Sequence, residues 1–298
     1  MTRILAVTSG KGGVGKTHLS VNLALHCARK GQRVCLFDAD LGLANVSLLF
    51  NLYPERNLSD VIAGTCRLRD VVLSSCGIDI VPGSSGVAGM ADLPAAALAR
   101  LGAEFSLLNR YDVLIFDTSA GIADNLMALV AAAPETLLVI TPEPTALTDA
   151  YALVKLLQRR RYAGRLQVVV NQAVSERQAR HTYEKFREVV RVYQGFDLPL
   201  LGAVPADPRM LDAARSQQPL TLLGPDSAAS VAFGDLAERL LATAPALPAG
   251  STPLNDFWSR LTGSELPAAA PARRVEIETE TQPRTETAVS VPLDLAER

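Results

Sequence analysis

Apolar residues fall along this chain in short, nearly uninterrupted runs rather than in long stripes. The runs Arg3 to Thr8, Arg33 to Phe37, Ile78 to Val81, Asp112 to Phe116, Thr136 to Thr141, Leu166 to Val170 and Leu198 to Val204 are rich in β-branched residues. Each is short enough for a strand, and a run apolar at nearly every position suits a strand buried on both faces. Between most of them lie longer stretches with helical character, Lys16 to Lys30, Leu93 to Asn109, Thr148 to Arg160, Ser175 to Gln194 and Asp226 to Ala242. The alternation predicts an α/β fold, with a mostly parallel central sheet and helices on both faces. Right-handed crossovers then gather the loops that follow the strands along one edge, where such folds bind ligands.

The pattern divides the chain into a domain over 1–246, a short amphipathic segment over 250–262 and a tail over 263–298. In the segment, Thr252 is placed to cap a helix with Pro253 at its first position. Leu254, Phe257, Trp258 and Leu261 then recur at i, i+3, i+4 and i+7 as one apolar stripe. A membrane surface or the chain's own domain could cover it. Beyond Gly263 the composition turns to Pro, Ala, Thr and Glu, as in Val275-Glu276-Ile277-Glu278-Thr279-Glu280. With no periodic core-facing pattern, this reads as a disordered tail.

Composition narrows the class. At 298 residues, 48% hydrophobic and 20% charged, the chain suits one soluble domain with something appended. A formal net charge of −2 gives no overall pull toward nucleic acid, and no direct nucleic-acid partner is expected. Arg159-Arg160-Arg161 closes a predicted helix, where cations suit the helix dipole. Cys27, Cys35, Cys66 and Cys76 form no C-x-x-C pair and read as buried or idle thiols in a reducing compartment. Nothing at the start resembles a signal peptide, and no apolar run approaches the ~20 residues of a membrane span. A cytoplasmic protein is expected.

The chemistry centres on Gly10-Lys11-Gly12-Gly13-Val14-Gly15-Lys16-Thr17, which satisfies G-x-x-x-x-G-K-[ST] between a predicted strand and a predicted helix. Glycines let the backbone curl so that successive N–H groups point at phosphate oxygens. The N-terminus of the next helix, from Lys16, Thr17 and His18 onward, adds its partial positive charge. Lys16 would neutralise the β- and γ-phosphates, and the Thr17 hydroxyl would coordinate Mg²⁺. Two carboxylate sites at strand ends fit the same task. Asp117 closes Val113-Leu114-Ile115-Phe116-Asp117, and Asp38 and Asp40 follow the second strand. A carboxylate at the tip of a buried strand is costly unless a cation or donor pairs with it. Asp117 and Asp38 are thus candidates for the Mg²⁺ shell and Asp40 for orienting the attacking water. Helix capping is the alternative for each. At another strand end Asn171-Gln172-Ala173-Val174 lacks the Asp that accepts guanine's N–H groups in N-K-x-D, while an amide can both donate to and accept from adenine. ATP is the expected nucleotide, with Pro205 and Asp207 as candidate second walls of the base pocket.

The run Ser9 to Thr17, with its extra lysine Lys11, resembles the deviant Walker A motif of the MinD/ParA ATPases. Asp38-x-Asp40-x-Gly42-x-x-Asn45 is similar to that family's switch I, and Asp117-Thr118-Ser119-Ala120-Gly121 to its switch II. Pro142-Glu143-Pro144-Thr145, followed by Thr148-Asp149-Ala150-Tyr151-Ala152-Leu153-Val154-Lys155, is similar to the flagellar-number regulators, the FlhG/FleN branch. The resemblance runs from about Ile4 to Leu261 and does not cover the tail. It implies a slow Mg-dependent ATPase and a homodimer that sandwiches ATP, in which Lys11 reaches the partner's phosphates. It also implies a membrane-targeting role for the stripe Leu254, Phe257, Trp258 and Leu261, peripheral on the inner face of the cell membrane in the ATP state. The partners it implies are an FlhF-type GTPase, a FleQ-type transcriptional activator or a flagellar C-ring protein. The strand begins directly after Met1-Thr2-Arg3, so the extension by which several members stimulate FlhF is not expected here. Division-site placement of the MinD kind and partitioning of the ParA kind remain the alternatives.

Overall fold

The computed structural model describes residues 2–40, 45–83, 93–245 and 252–263. The tail predicted beyond Gly263 and Gly42 of the switch I resemblance lie outside the described residues. The strands are β1 (Arg3–Ser9), β2 (Val34–Ala39), β3 (Leu73–Ser75), β4 (Ile78–Val81), β5 (Val113–Ala120), β6 (Glu135–Ile140), β7 (Arg165–Ala173) and β8 (Leu200–Pro205). They form one sheet in the order β3-β4-β2-β5-β1-β6-β7-β8. All pairs are parallel except β3 with β4. The helices are α1 (Lys16–Arg29), α2 (Asn45–Leu48), α3 (Leu58–Ala63), α4 (Ala95–Phe105), α5 (Asp124–Ala132), α6 (Pro144–Arg159), α7 (Glu176–Gln194), α8 (Arg209–Arg215), α9 (Leu220–Leu223), α10 (Ala228–Ala242) and α11 (Pro253–Thr262).

The uninterrupted apolar runs are explained by two cores, one on each face. On β1, Ile4 and Ala6 face one core while Leu5 and Val7 face the other, and β2 and β5 divide in the same way. Helices α1 and α10 cover one face, while α4 to α7 and α11 serve the other. At the end where the strands begin, the Arg3 guanidinium is buried, pairs with Glu135 at 3.1 Å and donates to the Leu240 and Thr243 carbonyls. The chain end of α10 is thereby tied to β1.

Several strands run past their predicted ends. β2 and β5 continue through the residues expected to follow them, so Asp38 and Asp117 stand within the ladder. Helix α6 starts at Pro144, four residues before the predicted Thr148, because Pro at the first helical position gives up no needed N–H. Helix α7 starts where Ser175 accepts from the Gln178 N–H, and α10 where Ser227 accepts from Ser230. Thr252 stands at the cap position of α11, but its side chain makes no capping bond, so the expected cap is backbone only.

The stripe on α11 is docked. Leu254, Phe257, Trp258 and Leu261 are buried against α5, β1 and the 3₁₀ turn over Ser106–Arg110. Phe257 stacks on Phe116 with centroids 5.0 Å apart, Phe116 on Phe37 at 4.8 Å, and Trp258 tilts against Phe105 at 5.0 Å. Phe105 in turn lies 5.7 Å from Phe37, which makes one connected aromatic cluster. Phe37 and Phe116 immediately precede Asp38 and Asp117, so this cluster touches the backs of the two strands that carry the carboxylates.

A candidate nucleotide site

The Gly-rich loop leaves β1 at Ser9 and enters α1 at Lys16. Two of its glycines are required by the backbone. A Cβ on Gly10 would lie 2.1 Å from the Asp149 carbonyl carbon, so the loop rests directly on α6. Gly15 has φ +89° and would strike the Asn171 amide at 2.4 Å. Gly15 caps α1 without a side-chain bond, and no acidic residue occupies the first turn. The first N–H groups of α1 are thus served by no side chain and face an anion-favouring dipole end.

Lys16 is buried, with Nζ 3.0 Å from Ser9 Oγ. Burial lowers its proton affinity, and the charges of Asp117 and Asp40 work the other way. Asp38 and Asp117 are paired across the ladder between β2 and β5, both buried. Asp38 accepts from the Val46 N–H at 3.1 Å and the Asp40 N–H at 3.2 Å. Burial first, and then the charge of Asp117, push its carboxyl up to about 7. Asp117 accepts from Ser20 Oγ at 2.8 Å through one oxygen. Its other oxygen has no hydrogen bond of ordinary geometry among the described residues, although the Thr17 hydroxyl is near enough to lower its proton affinity. Burial nonetheless raises Asp117 to about 6.

Two neighbouring buried carboxylates, one with an unpaired oxygen and a threonine hydroxyl beside it, fit a hard divalent cation. No cluster of three acidic, His or Cys side chains occurs among the described residues. Mg²⁺ held here would therefore draw on Thr17, Asp117, the shell around Asp38, water and phosphate oxygens, which is its usual habit.

The other predicted residues divide. Asp40 accepts from Asn45 Nδ2 at 3.3 Å, which joins the two ends of the segment that resembles switch I. Gly121, φ +104°, donates its N–H to the Ser9 carbonyl and so ties the run that resembles switch II to the start of the loop. Asn171 donates to the Val14 carbonyl at 2.7 Å and accepts from the Gln172 N–H, so part of its amide is engaged in bracing the loop. Asp207 accepts from the Arg209 and Ala229 N–H groups at 2.9 and 3.1 Å, which joins α8 to α10 as a cap would. Pro205 ends β8. His18 has a buried Nδ1 without a partner among the described residues, and burial lowers its proton affinity. Lys11 reaches Glu143 Oε2 at 2.9 Å and Thr145 Oγ1 at 2.8 Å, the cap residue and the second residue of α6.

Ser20, Glu143, Thr145, Gln172 and Gly83 were not singled out as site residues. Ser20 lies four residues after Lys16 on the same helix, a spacing that could have revealed it. Gln172, φ +60°, donates to the Gly13 carbonyl at 3.3 Å. Gly83 packs so closely on Asp38 that a Cβ there would approach its carbonyl oxygen to 2.8 Å. No local pattern announces that contact.

The ParA family model described as NUBPL iron-transfer P-loop NTPase matches residues 1–241. The chain belongs to the ParA family of P-loop NTPases. Among relatives, it is 45% identical over 240 residues to the antiactivator FleN of Pseudomonas aeruginosa, with 80% of this chain and 86% of that protein covered. It is 31% identical over 265 residues to the flagellum site-determining protein YlxH of Helicobacter pylori, with 87% and 90% covered. Among solved structures it is similar to MinD in the MinC:MinD complex of Aquifex aeolicus, at TM-score 0.68 and 25% identity, with 84% of this chain and 99% of that one covered. The MinD of Pyrococcus horikoshii complexed with Mg-ADP aligns at TM-score 0.64 and 27% identity, with 81% and 98% covered. These likenesses bear out the resemblance to MinD/ParA ATPases and its FlhG/FleN branch. In this family member Cys27 and Cys35 are buried, with burial raising Cys27 to about 12. Cys66 and Cys76, one half-buried and one exposed, join no cluster of metal-ligating groups among the described residues.

Proposed function

We propose that this ATPase is a Mg-ATP-driven dimerising switch that sets the number and placement of flagella. The observation that carries the flagellar part is the 45% identity to FleN across 80% of the chain. What supports the switch is the site itself. The curled loop and the α1 N-terminus bind the triphosphate, and Lys16 neutralises the β- and γ-phosphates. Thr17, Asp117 and the shell braced by Asp38 hold Mg²⁺, which supplies neutralisation of charge on the transferring phosphoryl group. Asp40 orients the attacking water, and Asn171, Pro205 and Asp207 frame the adenine. Hydrolysis is slow because one chain does not complete the site.

Lys11 is the missing part. In the single chain it is held by Glu143 and Thr145. In an ATP-sandwiched homodimer it leaves them for the partner subunit's phosphates, and loss of the γ-phosphate returns it. Switch residues Asn45 and Gly121 line the dimer face and read the nucleotide state.

The stripe on α11 gives the switch an output. While docked, its four apolar side chains are buried. Its aromatic cluster leans on Phe37 and Phe116, one residue from Asp38 and Asp117. A shift of those strand ends on Mg-ATP binding loosens the dock and releases the helix to the inner face of the membrane. A dimer presents two copies, which raises the effective concentration of a weak anchor. The ATP-state dimer then meets an FlhF-type GTPase, a FleQ-type activator or a flagellar C-ring protein.

Flagella counted in a deletion strain carrying either the intact gene or a Lys16→Gln allele test this reading. Altered number with the mutant allele and restoration by the intact gene are expected. Normal flagellation in the deletion strain would overturn the flagellar role and leave the ATPase chemistry standing, whereas minicells would assign the protein to division-site placement.

A further inference from the structure

Strand β8 closes one side of the sheet, and no described strand pairs with its outer edge. Beside that edge a groove of about 500 Å³ runs between α7 and α10. Small residues leave it open: Ala179 from α7, Gly202 and Ala203 from β8, Ala228 and Ala232 from α10. Val231 is 52% exposed and Leu200 39% exposed along it, so apolar surface stands uncovered. Arg239 Nη1 donates to the Leu201 carbonyl at 3.1 Å, a side chain serving a strand edge. Arg239 and Leu236 cover the edge only around Leu201 and Gly202, and an edge that pairs with no described strand elsewhere can accept an extended segment through main-chain hydrogen bonds once the Arg239 side chain swings aside.

We propose that the chain's own C-terminal tail supplies that segment, with Val275 to Thr281 docking as a ninth strand along β8. Too short and too polar to mark a core-facing element by itself, the stretch nonetheless has a period of two: Val275, Ile277, Thr279 and Thr281, all β-branched, are separated by Glu276, Glu278 and Glu280, and Pro283 follows two residues later. β-branched residues at every second position are the composition of a strand with one packed face, and a Pro beyond them ends it. Such a row offers too little apolar surface to form a core of its own. It matches a narrow trench with a valine and a leucine exposed in it. Arg180 and Arg239 balance Glu176 and Asp235 in the lining, so the glutamate row is not repelled.

The place where the described chain stops supports this occupant. Gly263 ends α11, and Arg260 lies close enough to Tyr162 to influence its ionisation. The Tyr162 hydroxyl is 2.9 Å from Thr136 at the start of β6. The described chain thus stops near the end of the sheet where the strands begin, on a helix packed against α5 and β1, and β1 lies three strand spacings, about 15 Å, from β8. Residues 264–274 can extend to about 36–40 Å, ample for a path around α7. Arriving at the Leu200 end, the segment would run parallel to β8.

Hydrogen exchange read by mass spectrometry on the full chain tests this, with Ile277→Pro to break the strand and Ile277→Val to preserve it. The intact chain and Ile277→Val should exchange the backbone amides of 200–204 about tenfold or more slowly than Ile277→Pro. A synthetic peptide spanning 272–284, added to the Ile277→Pro chain, should restore the protection. Equal exchange in all three chains would overturn the proposal. Protection that grows with protein concentration would also overturn it, by assigning the strand to a second copy.

Discussion

Truncating Trp258 distinguishes a helix that is merely packed from one held for release. The indole is 1% exposed and Phe257 fully buried, and their rings meet Phe105 and Phe116 at centroid distances of 5.0 Å. If α11 stayed in place, Trp258→Ala would leave a cavity costing about 3–5 kcal/mol. Burial of the whole stripe contributes roughly 6–10 kcal/mol gross. Ordering a ten-residue helix opposes that at ~1–2 kcal/mol per residue, an amount as large as the burial term or larger until the helix's own hydrogen bonds are counted. The net docking free energy is then smaller than or similar to the cavity cost, so the helix should leave rather than sit over a void. Trp258→Ala is expected to lower global stability by about 1–3 kcal/mol, less than a fixed cavity would. Amides of 254–261 should lose most of their exchange protection while β1 and β5 keep theirs. Liposome flotation in anionic vesicles should show the intact chain binding only with Mg-ATP, and Leu254→Glu not binding at all. Unchanged exchange protection in α11 of Trp258→Ala, or a stability loss near 5 kcal/mol, would show the helix to be a fixed part of the core.

Other expectations follow from the site. Glu143→Gln removes the acid that holds Lys11; the pair is largely exposed and worth at most about 1 kcal/mol, so stability should hardly change. Mg-ATP-dependent dimerisation, followed by analytical ultracentrifugation, should strengthen by up to about fivefold, and weaker dimers would place Glu143 in the interface instead. Asp38 has its carboxyl raised to about 7 in the folded chain, against about 3.9 when unfolded. The folded state therefore binds the extra proton, and the stability this gives is complete below about pH 4 and lost as pH rises through 7. In the nucleotide-free chain, Asp38→Asn should remove part of the fall in Tm between pH 5 and 8, and Mg-ATP should weaken that fall in the unmutated chain. A wild-type and mutant difference independent of pH would refute the assignment. Ser20→Ala removes the donor to Asp117 at 2.8 Å and should weaken Mg-nucleotide binding several-fold with little change in fold, which titration calorimetry can read.

The fold was legible because both faces of the sheet are buried, so β1, β2 and β5 announce themselves as apolar at almost every position. The short antiparallel β3, partly exposed, carries no such run, and α8 and α9 are too short for a helical period to show. At the site, residues that act through local sequence were readable: Lys16 and Thr17 in their loop, Asp38 and Asp117 at strand ends. Those that act through long-range packing were not. Gly83, just past β4, meets Asp38 on the neighbouring β2, and Glu143 meets Lys11 across 132 positions; Asn171 was readable as an amide at a strand end, but its reach to Val14 across 157 positions was not. The apolar stripe of α11 was plain in sequence, but its docking depended on Phe37, Phe105 and Phe116, whose convergence only the fold creates.

Everything proposed for the switch requires that the loop from Gly10 to Thr17 grip a triphosphate beside a cation held at Thr17 and Asp117. Isothermal titration of the purified full chain with ATP, with and without Mg²⁺, measures this directly. Micromolar binding that needs Mg²⁺, is lost in Lys16→Gln and is weakened at least tenfold in Asp117→Asn is the expected result. No binding heat with Mg-ATP, or equal binding by the intact chain and Lys16→Gln, would contradict it.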